Sequence, residues 1–501
     1  MCESRGGLRR EQSQIRMGLR RPTLTWMLPM PACHVVTACS TPSALDRLVE
    51  VFALLDAGEV HGDFETFEGQ LHALVMEVER EGLAKRLAAL DMDVPAVIVG
   101  DEVHVRAVRC EGVYQTRAGE VRVERTLYRT SASERCICPM ELRAGMVEGR
   151  WTPGAASLAV WAVAHLTPQE AEELFARCGG MTPSRSGLDR LPKALSARWE
   201  EQRTRFEECV RAVEEVPAEA VSVSVSLDGV MVPMKDGGRH RKRRRALRDG
   251  KETRGPAGFR EAACGTLTLH DAEGNRLSTT ALGRMPERGK KTLKDTLEDE
   301  LVQVLDRRPD LEVVGLADGA RDNWTWLDRV LPAGSRQVLD FFHAAQHLER
   351  AMNTAHGEGT PKARSEFQRL RLLLRDDVDG VSKVINALAY QRRRHPRRKA
   401  LQRELRYFRR NRYRMRYADA QVACVPIGSG VVEAANKTLV VVRMKRAGAR
   451  WLIPGGQAVL TFRALAKSGR FDRAWDLLIG IYTEHIQPLS AVTRSPRRRA
   501  A

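Results

Sequence analysis

Apolar positions recur at helical spacing from residue 43 onward. Leu45, Leu48, Val49, Phe52 and Leu55 mark one face, and Leu71, Leu74, Val75 and Val78 mark another. Residues 97–108 are Val-rich and alternate in their second half, which predicts a strand. A hairpin is expected next, with Val113-Tyr114-Gln115-Thr116 and Val121-Arg122-Val123-Glu124-Arg125 flanking a turn at Ala118-Gly119. An all-helical stretch follows. Residues 153–166 are apolar and Ala-rich, and Thr167-Pro168-Gln169-Glu170 offers an N-cap, a proline at the first position and a glutamate three residues on. That helix stops at Gly179-Gly180, and Thr182-Pro183-Ser184 starts another that ends near Trp199. Helix, glycine turn, helix is the form of a helix-turn-helix, and equally of an ordinary helical hairpin.

The pattern then changes period. Residues 220–227 alternate Val with Ser and Ala, as a strand does, and end in Asp228-Gly229. Residues 239–254 read as a basic loop around Arg241-Lys242-Arg243-Arg244-Arg245. Strands are expected at 262–270 and 276–282, with an amphipathic helix over 291–305. Two short apolar runs complete the set: 311–317, ending in Asp318-Gly319, and 337–342. Residues 344–417 read as helical and heavily basic from Arg364 to Arg416, and Gly428-Ser429-Gly430 opens the last important helix. The fold class is therefore α+β and multidomain, with an α/β core built on a mixed sheet.

Composition narrows the partner. A chain of 501 residues is long enough for about three domains. Lys plus Arg total 82 against 64 Asp plus Glu, and the net charge of +18 favours a polyanion, hence nucleic acid. The ten cysteines are scattered and make no disulfide framework, which points to a reducing, cytoplasmic compartment. No apolar run reaches the roughly 18 residues of a membrane span. Residues 20–36 have the outline of a short secretion signal, broken by Pro29 and Pro31; a start placed too far upstream, with Met17, Met27 or Met30 first, accounts for them better.

The candidate chemistry lies in carboxylates. Asp228 and Asp318 each end an apolar run, where a charge is costly unless it serves a site, and ligands of α/β sheets gather at those strand ends. Each is followed by glycine, which permits a sharp turn or a close approach. Asp-Gly is also ordinary turn chemistry, but a pair at equivalent points of the topology argues for a site. Glu433 falls in the first turn of the helix after Gly430, with Asn436 and Lys437 on its face. A glutamate there also suits the helix dipole. Three carboxylates and two Mg²⁺ (or Mn²⁺) ions ~3.5–4 Å apart form a device for in-line phosphoryl transfer.

Four blocks give these residues a context. They are Ser226-Leu227-Asp228-Gly229; Val314-Gly315-Leu316-Ala317-Asp318-Gly319-Ala320; Leu339-Asp340-Phe341-Phe342-His343; and Gly428-Ser429-Gly430-Val431-Val432-Glu433 continuing to Arg443-Met444-Lys445, Gly448 and Arg450-Trp451. Over residues 105–470 the chain resembles DDE transposases of bacterial insertion sequences, in particular the ISKra type. It departs from them in lacking a zinc-ribbon cysteine set, with only Cys110, Cys136 and Cys138 near the hairpin, and in the placing of Trp324-Thr325-Trp326. The resemblance implies an RNase H-like core, Asp228, Asp318 and Glu433 as metal ligands, and action on the ends of a mobile element and its target, double-stranded DNA, as a homo-oligomer. It divides the chain into a tail (1–43), a helical region (44–108), a hairpin region (109–145), a helix-turn-helix-like DNA-binding region (146–217), the first part of the core (218–343), a basic helical insertion (344–422), the Glu433 helix and end of the core (423–470) and a second tail (471–501).

The expected DNA contacts are Arg185 and Arg190 on the second helix of 146–217, Arg392, Arg393, Arg397 and Arg398 on the insertion, and Asn436, Lys437, Arg443, Lys445, Arg450 and Trp451 after Glu433. Asp340 and His343 are accessory candidates at the end of a neighbouring strand. His343 and His347 share a helix face at i and i+4, without an evident acidic third ligand. The alternatives are a non-catalytic DNA-binding regulator, an inactive transposase relic, or an RNase H-like nuclease that cuts without joining.

Overall fold

The computed structural model describes residues 42–60, 62–130, 136–235, 237–251 and 258–489. The expected tail up to residue 41, with the possible alternative starts, and residues 252–254 of the basic loop lie outside the described residues. The chain begins with helices α1 (Ala44–Asp56) and α2 (Phe64–Ala88), packed on each other. Ser43 and Asp46 close a capping box at the start of α1. Strands β1 (Ala96–Val99), β2 (Glu102–Thr116) and β3 (Gly119–Arg129) follow; the hairpin is as expected, but it closes with Thr116 opposite Gly119, so the turn is Arg117-Ala118, one residue earlier than the sequence reads. Next come α3 (Pro139–Ala144), α4 (Pro153–His165), α5 (Pro168–Cys178), α6 (Arg185–Glu201) and α7 (Arg203–Ala212). Gly179, left-handed at φ 73°, ends α5, and the Ser184 side chain caps α6.

The second sheet is mixed. It is built from β4 (Ser222–Pro233), β5 (Phe259–His270), β6 (Arg276–Arg284), β7 (Glu312–Ala317) and β8 (Arg336–Leu339) in the order β6-β5-β4-β7-β8. The first three strands pair antiparallel; β4, β7 and β8 run parallel. Helix α8 (Gly237–Arg248) joins β4 to β5, so this part of the expected basic loop is a helix. Its run of arginines and lysines contains good helix formers. Helices α9 (Lys291–Arg307) and α10 (Arg321–Val330) make the crossovers to β7 and β8. The strand in which Asp228 sits does not end there: β4 runs on to Pro233 against β5. Both faces of the alternating run are covered: Ser222, Ser224 and Ser226 are buried along with Val223 and Val225. The hydroxyl of Ser224 meets the His270 ring at 2.9 Å.

Phe341 and Phe342 are helical rather than strand, because Asp340 caps α11 (Phe341–His356) by accepting from the His343 amide. Helices α12 (Pro361–Asp376), α13 (Gly380–Arg394), α14 (Lys399–Asn411) and α15 (Tyr417–Val422) complete the basic segment. The segment is no detached insertion. Leu370, Leu374, Val384, Leu388, Leu405 and Phe408 share one continuous core with the sheet. Each helix turns its apolar stripe inward and its arginines outward.

The chain returns as α16 (Gly430–Ala435), a π-helical turn (Asn436–Val441) and α17 (Val442–Met444), followed by α18 (Ile453–Lys467), α19 (Phe471–Gly480) and β9 (Ile486–Leu489). The run Leu439-Val440-Val441-Val442 has strand propensity, yet it is helical. Leu439 and Val440 are fully buried against Cys264 and Ala281, and that burial outweighs the weak β-branched preference. The expected C-terminal tail carries α19 and β9, and its residues 490–501 lie outside the described residues. Phe471, Ala474, Trp475 and Leu478 of α19 fill a core with α4, α6 and α7, and β9 pairs with β1. Region 146–217 is therefore not an autonomous unit; it shares its core with the end of the chain.

One ion-pair knot ties these parts together. Arg470, 5% exposed, donates two 2.7 Å hydrogen bonds to Glu300 of α9, itself 3% exposed, and another of 2.7 Å to Glu214. Removing one member of such a knot strands its partner's charge, so Arg470→Met should cost about 3–5 kcal/mol in denaturant unfolding. A cost under about 1 kcal/mol would show that Arg211, 3.6 Å from Glu300, neutralises it alone.

Candidate metal centre

The parallel pairing sets three aspartates side by side. Ser226 lies opposite Leu316, and the same register carried two residues on puts Asp228 level with Asp318. Ala317 lies opposite Leu339, and one residue further Asp318 comes level with Asp340. The Asp340 amide donates to the Ala317 carbonyl at 2.9 Å, which holds that last step. Side chains level on adjacent strands share a face of the sheet.

Each aspartate is fixed differently. Asp228, half-buried on β4, accepts from its neighbour Gly229 amide and from Asn436 Nδ2, both at 2.7 Å. Burial pushes its carboxyl up, and the charge of Asp318 adds to this, against the Gly229 hydrogen bond and the cations Lys290 and His343. Asp318 turns back on its own loop: Oδ1 accepts from the Ala320 amide at 3.0 Å and from Asn323 Nδ2 at 3.1 Å. Asp340 is fully buried. Burial alone would raise it, but hydrogen bonds from His343 and Ser429 prevail and hold it below the usual carboxylate range. The His343 amide donates to Oδ1 at 2.6 Å, and the His343 ring Nδ1 lies 3.0 Å from the same oxygen. The imidazole is raised by this bond against burial, with Asp318 and Asp228 contributing. His343 thus senses all three aspartates.

The glycines after the aspartates serve close approach rather than a turn, since neither Gly229 nor Gly319 has a positive φ. A Cβ on Gly319 would strike the Tyr407 ring, and one on Gly229 the Glu261 side chain.

Glu433 arrives from the other side. The Phe341 amide donates to the Ile427 carbonyl at 2.9 Å, and the Ser429 amide donates to Asp340 Oδ2. These two bonds dock the Gly428-Ser429-Gly430 turn onto the end of β8. Gly428 packs on the Phe342 ring, where a Cβ would come within 2.8 Å. Ser429 caps no backbone amide; its hydroxyl donates to Glu433 Oε1 at 2.7 Å. Asp340, His343 and Glu433 then offer ligand atoms all within 4.8 Å of one another, the one such group among the described residues. This group could hold a metal ion.

The structure therefore groups Glu433 most closely with Asp340 and His343, the accessory pair, while Asp228 and Asp318 stand outside that 4.8 Å set. The donors fit a divalent cation: carboxylate oxygens dominate, one imidazole is present, and the Oδ1 of Asn436, next to Asp228, is buried without a partner. Burial first, and then the charge of Asp318, raise Asp228, and a cation would offset both.

Of the expected DNA contacts, Lys437, Lys445 and Arg450 are exposed after Glu433, as are Arg185, Arg190, Arg392, Arg393, Arg397 and Arg398. Arg398 also donates to the Thr354 carbonyl. Asn436 is instead buried on Asp228. Arg443 is 3% exposed and lies 5.3 Å from the centre of the Trp451 ring. Burial pulls its guanidinium down to about 10, aided by Arg446 and Arg463. Trp451 donates its ring N–H to the Met444 carbonyl at 2.9 Å and pairs its backbone with Pro233 and Lys235. Arg443 and Trp451 thus staple this helix end to β4, a correction to their expected DNA contact. What the sequence missed is Ser429: its amide and hydroxyl link Asp340 to Glu433, and only its place in a glycine pair hinted at it.

No helix among the described residues is long and apolar enough to cross a membrane. The described cysteines are free. The chain matches no protein-family model and no curated protein.

If the close group is the primary ligand set, Mn²⁺ titrated into the protein should bind in isothermal calorimetry and raise the melting temperature. Asp340→Asn or Glu433→Gln should weaken that binding by at least the roughly 10–100-fold typical of removing a group that merely supports a ligand. Unchanged affinity in both variants would place the ion elsewhere.

Proposed function

We propose that this protein is a DDE-type transposase, which binds the ends of its mobile element and catalyses metal-dependent DNA cleavage and strand transfer. The observation that carries the reading is the row of Asp228 on β4, Asp318 just past β7 and Asp340 just past β8, three adjacent parallel strands, with Glu433 docked beside Asp340. The order β6-β5-β4-β7-β8, antiparallel then parallel, supports an RNase H-like core. The net charge of +18 supports a DNA substrate.

On this reading Asp228, Asp318 and Glu433, with Asp340 and His343, hold two Mg²⁺ or Mn²⁺ ions. When bound, such ions lower the barrier to in-line attack at phosphorus by stabilising both the entering and the leaving oxygen. The chain's own residues orient the ligands. Asn436 fixes one oxygen of Asp228, Asn323 and the Ala320 amide fix Asp318, and Ser429 fixes Glu433 relative to Asp340. Exposed Lys437, Lys445 and Arg450 lie on the same return segment and suit phosphates flanking the cut. Oligomerisation on DNA and a place in the bacterial nucleoid follow from the same proposal.

The test is an assay with purified protein, Mg²⁺ and linear DNA carrying the sequences that flank its own gene. Asp228→Asn, Asp318→Asn and Glu433→Gln should each abolish cleavage while still retarding that DNA in a gel. Full cleavage by any one would remove that residue from the site, and cutting without joining by the wild type would favour the nuclease. The outer arginines make a separate prediction. Neutralising Arg392, Arg393, Arg397 and Arg398 together should flatten log Kd against log salt by about one unit for each phosphate they neutralise, without altering sequence preference. An unaltered slope would mark that face as merely solvated.

A further inference from the structure

We infer that His347 is a further catalytic residue of this site, the proton acceptor for the attacking oxygen, with Glu404 and Tyr407 as its positioning residues. The inference rests on the transposase reading and adds to it a group supplied by the basic helical segment. His347 lies one turn beyond His343 on α11, and residues so spaced are neighbours on one helix face.

Two contacts fix its ring. Nδ1 lies 2.5 Å from Oε2 of Glu404, a carboxylate on α14 that is 1% exposed. One face of the imidazole stacks on the Tyr407 ring at 3.5 Å between centroids and 15° between planes. Tyr407 in turn lies on Gly319, so close that glycine alone fits beneath it, next to Asp318. The chain Gly319–Tyr407–His347 therefore spans from the loop that carries Asp318 to the imidazole. The Tyr407 hydroxyl has no partner, although it is buried within the field of Asp318 and Asp340.

A carboxylate that takes the Nδ1 proton in a hydrogen bond selects the tautomer whose Nε2 carries the lone pair. Leaving so deeply buried a glutamate unpaired would be costly, and His347 is the partner of its Oε2. The other groups around the pair are cationic: Arg403 Nε is 3.2 Å from Glu404 Oε1, and Arg350 acts on both Glu404 and Tyr407. Glu404 is thus compensated on its second oxygen, and its first is left to orient the ring. The His347 side chain is one quarter exposed, and no hydrogen bond to its Nε2 occurs among the described residues.

In cleavage, a water oxygen bonds to the scissile phosphorus and passes its proton, directly or through one further water, to Nε2. The bond from phosphorus to the 3′ oxygen breaks, and that oxygen takes a proton from solvent. The imidazolium then returns its proton to solvent. In joining, the freed 3′ hydroxyl oxygen bonds to a phosphorus of the target strand and passes its proton to Nε2, while the bond from that phosphorus to the target's own 3′ oxygen breaks and that oxygen takes a proton from solvent, so one residue serves both steps.

The experiment follows single-turnover cleavage of the flanking DNA in Mg²⁺, with DNA affinity measured separately in Ca²⁺. His347→Ala should lower the cleavage rate by about 10²–10⁴-fold, the usual contribution of a positioned base, with DNA affinity unchanged. Added imidazoles should restore part of the rate, and more so as their basicity rises. Glu404→Gln should lower the rate in the same direction, and so should Tyr407→Ala, which removes the stack. A normal rate in His347→Ala, or a slow rate that no imidazole restores, overturns this role and leaves the carboxylate reading standing. Wild-type protein that cleaves no flanking DNA overturns the transposase reading, and this inference falls with it.

Discussion

Carboxylates brought level on adjacent strands repel one another, and the fold around β4, β7 and β8 is organised to hold them there. The repulsion shows in Asp228, which burial and the neighbouring Asp318 both push upward. It is countered by the hydrogen-bond donors that ring the site: Asn436, Asn323, Ser429 and the His343 amide and imidazole. These donors come from a helix after β7, a helix after β8 and the return segment. A divalent cation would turn the same crowding into binding energy.

That constraint explains the glycines and the unusual helix. Gly319 admits Tyr407, and Gly428 admits Phe342, so the basic segment and the return segment both press against the strand ends. The π-helical turn over Asn436–Val441 starts at the residue that holds Asp228. Such turns widen a helix locally and recur at functional positions. Here it accompanies two demands on one helix: Asn436 must meet Asp228, and Leu439 and Val440 must enter the core.

The surface obeys a different rule. Most arginines of the segment 344–422 stand outward while its leucines join the sheet's core, so most of its positive charge is displayed without being buried. Where arginines do go inside, they are matched or clamped. Arg470 is paired with Glu300 and Glu214, Arg414 with Asp328 while stacked 3.9 Å from the Trp324 ring, and Arg443 lies on Trp451.

By itself the sequence determined the elements with strong periodicity and the residues whose chemistry is local. The hairpin, placed to within one residue, the caps at Thr167 and Ser184, the strand, strand, strand, helix, strand, helix, strand order and the aspartates ending apolar runs all rest on neighbours a few positions apart. The 90-residue spacing of Asp228 and Asp318 was also in the sequence, but it acquired meaning only as the parallel register that sets Ser226 beside Leu316. Tertiary structure alone decided that Glu433 meets Asp340 and His343, because the bonds from Phe341 to Ile427 and from Ser429 to Asp340 close a loop of almost ninety residues. It alone decided that Arg443 and Trp451 face inward, that valines with strand propensity stay helical, and that α19 and β9 belong to the fold. The physical reason is common to all of these. Local pattern fixes which face of an element is apolar or charged, whereas the partner of that face is set by long-range packing, which a pattern of neighbours does not encode.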